Sequence, residues 1–134
     1  MKRLVIALTF LVSLVSCREH ASSAKRVAVP AVHESYTVRE GRVLFTHYCA
    51  GCHGTEGEGD GFNAYSLDPK PRDLADPKLQ NERTDEDLVG VIRLGGAAVG
   101  LSTGMPPWGR ALSAREIRNV VAFIRTLRTA SAPR

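Results

Sequence analysis

The sequence predicts an all-α domain, and three observations carry that prediction. Three stretches hold apolar residues at helical spacing. Each opens on a Ser or Thr with an acid three residues later: Thr37 and Glu40, Thr84 and Asp87, Ser113 and Glu116. No stretch of any length alternates apolar and polar residues as a half-buried strand would. Between the helical stretches lie segments rich in Gly and Pro, the composition of loops. At 134 residues the chain has room for one such domain and a leader.

The leader comes first. Met1-Lys2-Arg3 is a short basic start, and Leu4 to Val15 is a run of apolar and small residues. That run is too short to span a bilayer and fits the core of an export signal over residues 1–16. Leu14-Val15-Ser16-Cys17 resembles a bacterial lipobox. On this reading the leader is cut before Cys17, which becomes a lipidated N-terminus on the periplasmic side of a bacterial membrane. Two or more acyl chains make such an anchor stable. The competing reading is cleavage after Ala24, which discards Cys17. Residues 17–36 have no sustained periodicity and read as the lipidated end and a tether. Stretched out, that tether reaches roughly 60 Å. Its His20 and His33 read as solvated residues.

The first helix is expected from the Thr37–Glu40 box, with Val38, Gly41, Phe45 and Tyr48 on one face. Gly41 inside a helix costs about 1 kcal/mol relative to Ala, which calls for a close neighbour. The helix runs into Cys49-Ala50-Gly51-Cys52-His53. C-x-x-C-H is the attachment signature of a c-type haem. Two thiols form thioethers with the two vinyl groups of one porphyrin, and the following imidazole ligates its iron. A zinc site needs a second ligand pair, and no second Cys pair exists. A redox dithiol belongs in a βαβ unit, and no such pattern surrounds the motif.

After His53 come Gly54, Gly57, Gly59 and Gly61 with Glu56, Glu58 and Asp60 between them. This is a loop rather than a phosphate cradle, because no G-K-[ST] follows and the acids repel phosphate. The acid spacing also misses the EF-hand pattern. In the stretch Asp68-Pro69-Lys70-Pro71-Arg72-Asp73, the carbonyl of Pro69 or Pro71 is a candidate to orient His53 through its second ring nitrogen. Arg72 is read either as a haem propionate contact or as a solvated surface charge.

The second helix is expected from Thr84 to Gly95-Gly96, with Leu88, Val91 and Ile92 on its apolar face. A loop follows, and it holds Met105-Pro106-Pro107-Trp108-Gly109. The other methionine, Met1, leaves with the leader, so Met105 is the candidate second axial ligand. The last helix opens at Ser113 and presents Ile117, Val120, Val121 and Ile124. The domain spans residues 37–130, with 131–134 as a tail. So small a domain is short of buried area. A covalently held porphyrin supplies it, and the chain without haem is expected to fold poorly.

Thr37 to about Leu127 resembles the class I c-type cytochromes, in particular the small single-haem domains of bacterial respiratory chains. Gly41 and Phe45 stand eight and four residues before Cys49, like that family's first-helix contact pair, and Phe123 matches its aromatic in the last helix. The resemblance implies the cytochrome c fold, with three main helices and loops wrapped around one haem c per chain. It implies that the first and last helices cross at Gly41, and that His53 and Met105 are the axial ligands. Trp108 follows the Met here, whereas in other branches the haem-packing Trp precedes it. A haem contact and plain core packing both remain open for Trp108.

With both axial positions filled, the iron has no place for a small-molecule substrate. The expected role is one-electron transfer between redox protein partners, not catalysis. A fixed haem subunit of an oxidase or quinol-oxidising complex is the alternative, and a haem enzyme or ligand sensor the more distant one. His47 reads as a surface residue of the first helix. From Cys17 onward the chain carries 16 basic and 14 acidic residues. The C-terminal stretch is rich in Arg, with Arg110, Arg115, Arg118, Arg125, Arg128 and Arg134. The loops after the haem motif are acidic, with Glu56, Glu58, Asp60, Asp68, Asp73 and Asp76. This asymmetry either steers partner docking or is a solvated face. The near-balanced charge and the absence of a binding motif give no sign of nucleic-acid recognition.

Overall fold

The computed structural model describes residues 34–130, and side chains as far as Leu127. The leader, Cys17, His20, His33 and the tail lie outside the described residues. Within them the chain forms α1 (Tyr36–Tyr48), α2 (Ala50–His53), α3 (Pro77–Glu82), α4 (Asp85–Leu94) and α5 (Ala114–Ala130). Short 3₁₀ turns occur at Phe62–Ser66 and Ala97–Val99. No strand occurs among the described residues. The three long helices are the expected ones, and α2 and α3 are additions.

Two of the three expected caps form as read. Thr84 Oγ1 accepts from Asp87 N, while the Asp87 carboxylate accepts from Thr84 N. Ser113 and Glu116 make the same reciprocal pair ahead of α5. The third does not form. Ser35 caps α1 by accepting from Val38 N at 3.3 Å, so the helix begins one residue earlier than the expected tether boundary. The physical reason lies in Glu40. Its carboxylate turns away from the helix start to accept from Asn119 Nδ2 of α5 at 2.5 Å, with Arg115 at 3.8 Å.

The core forms where α1 and α5 cross. Ile117, Val120, Val121 and Ile124, the expected apolar face of α5, are all buried, with Phe45 and Phe123 beside them. The two Phe rings meet at 5.1 Å between centroids. Gly41 sits at the crossing. A Cβ there would lie 2.5 Å from the carbonyl carbon of Asn119 and 3.1 Å from Phe123 Cβ. The crossing therefore explains the helical glycine. From α4, Leu88 and Ile92 close the same core, while Val91 is half-buried.

The unexpected α3 opens on Asp76, whose side chain accepts from Lys78 N, with Pro77 at the first helical position. Its Gln80 is one of two buried polar residues among the described residues, the other being Asn119.

Candidate haem attachment site

Cys49 ends α1 and opens α2, and the chain passes through it almost without a break. Cys49 N donates to Phe45 O, while Cys52 N and His53 N both donate to Cys49 O. One helical turn thus carries Cys49, Cys52 and His53 at positions i, i+3 and i+4, the spacing that shares a face. Two thiols and an imidazole are gathered without help from distant chain.

His53 is fixed by the backbone around it. Its Nδ1 lies 3.0 Å from the carbonyl oxygen of Arg72. A carbonyl only accepts, so Nδ1 carries the proton and Nε2 keeps its lone pair. Burial pushes the His53 pKa down, and the Arg72 hydrogen bond opposes that without reversing it. The ring is neutral at pH 7, as a metal ligand must be. The orienting carbonyl is neither of the two expected, Pro69 and Pro71, but lies one residue beyond the second. Pro71 instead directs its carbonyl at Gly59, where an added Cβ would collide with it. Gly59 has φ +79°, a conformation open to glycine, and its N–H donates to His53 O at 2.8 Å. That close approach sets the register and turns the next carbonyl onto His53.

Burial, and then the neighbouring Cys52, push the Cys49 thiol up to about 12. A redox-active dithiol works by a lowered thiol pKa, and Cys49 is shifted the other way. Among the described residues no group of three or more His, Cys, Asp or Glu forms a cage for a bare metal ion.

Met105 is held by the far end of α4. Gly96 N donates to Met105 O at 3.0 Å, Trp108 N to Ile92 O at 3.0 Å, and Gly109 N to Arg93 O at 3.1 Å. The last two bonds satisfy carbonyls that a helix end leaves open. Gly95, at φ +80°, lets the loop come close: a Cβ there would stand 2.8 Å from Pro107 N and 3.0 Å from Met105 O. Met105, Trp108, Leu74, Tyr48 and Cys49 all pack, half-buried, against the one core. The Trp108 ring lies 5.1 Å from that of Tyr48. Trp108 is therefore a core contact next to the attachment turn. Arg72 is exposed, and its backbone carbonyl is the group that reaches His53. His47 is exposed on α1, as expected.

These residues fit a haem c. The donor set is two thiols, an imidazole with a free Nε2 and a thioether. Large apolar side chains stand uncovered on the segments that carry these donors: Leu94, Val99 and Leu101 on the stretch leading into the Met105 loop, and Phe62 and Tyr65 after the attachment turn at 88% and 83% exposure. A porphyrin bonded at Cys49 and Cys52 is an apolar plate of the kind such surface accommodates.

The fold and this constellation define a c-type cytochrome domain, a module of haem-based electron transfer. Residues 37–124 match the family described as cytochrome C oxidase, cbb3-type, subunit III, and the chain belongs to that family. Its fold is shared with solved structures. One, a c-type cytochrome, aligns with a TM-score of 0.53 at 24% identity, over 65% of this chain and 95% of the other. Another is a chain of the reducing HAO-like protein complex of Kuenenia stuttgartiensis, with a TM-score of 0.58 at 25% identity over 70% of this chain. The present chain spans 44% of that one.

The site residues that sequence reasoning missed are the Arg72 carbonyl and the Gly95–Gly96 hinge under Met105. The glycine pair was legible as a helix end, but nothing in the sequence marks which carbonyl reaches His53.

Proposed function

We propose that the chain is a mono-haem carrier of single electrons between redox protein partners outside the cytoplasm, tethered through a lipid on Cys17. Its thioether residues are Cys49 and Cys52, and its axial ligands are His53 and Met105. The observation that carries this reading is the tautomer of His53: Nδ1–H is bound to Arg72 O, so Nε2 is left for a ligand bond on the same turn as both thiols. Haem supplies the one-electron couple, with a Met ligand raising its potential. The chain's part is to fix two ligands, so that little rearranges when charge changes, and to exclude water by the α1–α5 core. With both axial positions taken, the protein binds no small-molecule substrate and is not itself an enzyme.

Family membership favours a second reading, a fixed haem subunit of an oxidase complex, with the tether as its attachment. The two differ in what the haem travels with. Mild solubilisation of native membranes followed by native electrophoresis separates them: a small haem band marks a carrier, and co-migration with an oxidase marks a subunit. Ligation is tested by the near-infrared sulfur-to-iron band of the ferric protein. The wild type shows it and Met105→Ala loses it. A wild type without that band refutes the assignment of Met105 and reopens the enzyme and sensor readings.

A further inference from the structure

Gln80 is buried, yet it lies on a six-residue helix remote in sequence from both proposed ligands. Its carboxamide is fully committed. Nε2 donates to Leu74 O at 2.6 Å and to Ile124 O at 3.0 Å. Oε1 accepts from Arg125 Nη1 at 2.9 Å, and the same nitrogen also donates to Gln80 O. Arg125 spends its remaining donors on Arg83 O and the Asp85 carboxylate. A guanidinium only donates. It therefore fixes which end of the amide faces it and which end faces the two carbonyls.

Leu74 is the link to the site. It is clamped at both ends of its peptide: its carbonyl by Gln80, and its N–H by Gly57 O at 2.7 Å. Gly57 belongs to the loop that leaves His53, and Leu74 stands two residues after the carbonyl that holds His53 Nδ1. An Asx turn at Asp73, accepting from Ala75 N and Asp76 N, keeps the intervening backbone compact. The segment from Arg72 to Leu74 is thus pinned on one side by the haem loop and on the other by Gln80 and Arg125.

We infer that Gln80 and Arg125 are positioning residues for His53: they hold the Leu74 segment so that the Arg72 carbonyl stays on Nδ1–H. That hydrogen bond sets the ring's orientation and strengthens its basicity as a ligand. The inference rests on the proposed axial role of His53.

Gln80→Glu is the informative variant. It keeps size and the Arg125 partner but replaces the donor to two carbonyls with an acceptor. Arg125→Lys, which removes the fork, is the second variant if Gln80→Glu fails to fold. Val120→Ala is the control, since it weakens the core without touching the clamp. The haem-loaded ferrous protein, labelled with nitrogen-15 histidine, reports exchange of the His53 Nδ1 proton, and a redox titration reports the potential. Either clamp variant is expected to speed that exchange tenfold or more and to raise the potential, while the ferric sulfur-to-iron band stays. Val120→Ala is expected to leave both readouts unchanged. Exchange and potential within twofold and within error of wild type in both clamp variants would overturn the inference. So would equal changes in Val120→Ala. A wild-type protein that takes up no covalent haem in a host equipped to attach it fails the site reading instead, before any variant is made.

Discussion

Two glycines inside helices test the packing argument with opposite signs. Gly41 and Gly90 both stand in helix interiors, where Ala is favoured over Gly by about 1 kcal/mol. At Gly41 the added methyl would lie 2.5 Å from a backbone carbonyl carbon of α5, and well-packed carbons stand at about 3.5–4.0 Å. The clash is with main chain, so no side-chain rotation relieves it, and α1 and α5 must separate by about 1 Å. Overpacking of this kind costs about 3 kcal/mol at the upper end of its usual range. Subtracting the propensity gain leaves Gly41→Ala destabilised by about 2 kcal/mol. At Gly90 an added Cβ meets nothing within 4 Å, so Gly90→Ala is stabilising by as much as about 1 kcal/mol. For a domain of this size 1 kcal/mol moves Tm by about 4–8 °C. Far-UV circular dichroism melts of the haem-loaded proteins should therefore place Gly41→Ala about 8–16 °C below wild type and Gly90→Ala above it. A Gly41→Ala variant as stable as wild type, or two shifts of the same sign, would refute the crossing as the reason for Gly41.

Gly95→Ala should uncouple Met105 before it unfolds the domain: φ +80° is unfavourable for Ala, and the added methyl meets Met105 O at 3.0 Å, so the sulfur-to-iron band should weaken at a temperature where the helical signal is intact. The caps make the domain acid-sensitive. Asp87 is held below the ordinary carboxylate range first by the Thr84 backbone N–H, and Glu116 first by the Ser113 hydroxyl. Both contributions are present above the unfolded carboxylate pKa and are lost as pH falls through the lower folded values, so Tm should drop there. Asp87→Asn, which removes the titrating carboxylate, should flatten that drop. Cys17→Ser should release the haem protein from membranes into the soluble fraction without changing its spectrum; an unchanged membrane fraction would favour cleavage after Ala24 or a partner-held subunit.

What was legible in the sequence was local. The Thr84–Asp87 and Ser113–Glu116 boxes each need only four residues, and the apolar face of α5 needs one helix. The attachment motif likewise brings Cys49, Cys52 and His53 together on a single turn. What was not legible depends on distance or on backbone. The Thr37–Glu40 box failed because Glu40 finds Asn119, 79 residues away. The Arg72 carbonyl stands where that of Pro69 or Pro71 was expected, because Gly59 packs against Pro71 and a peptide oxygen has no sequence signature. The short α3 was marked only by Asp76-Pro77, and its importance lies in bonds from Gln80 to a helix 44 residues on. The charge asymmetry also changed on folding. Arg125 is met by the Asp85 carboxylate, so one cation of the C-terminal run is paired with an acid that nothing in the sequence places beside it.

The two sides of the site are held by different means, and this bears on how they fail. His53 shares a turn with both cysteines, so attaching the haem at Cys49 and Cys52 brings it to the imidazole with little further loss of chain entropy. Met105 has no covalent help. It depends on two backbone hydrogen bonds from its loop to α4, on one from Gly96 just beyond that helix, and on a glycine hinge that lets the loop approach. Backbone bonds at a helix end are among the first to open in local unfolding. The Met side should therefore let go first under heat or denaturant, leaving a haem still bonded through its thioethers and still facing His53. On the proposed ligation, the strong attachment stands where the covalent motif is and the adjustable ligand on a loop, so Met105 would be the half of the site that the chain can lose without losing its haem.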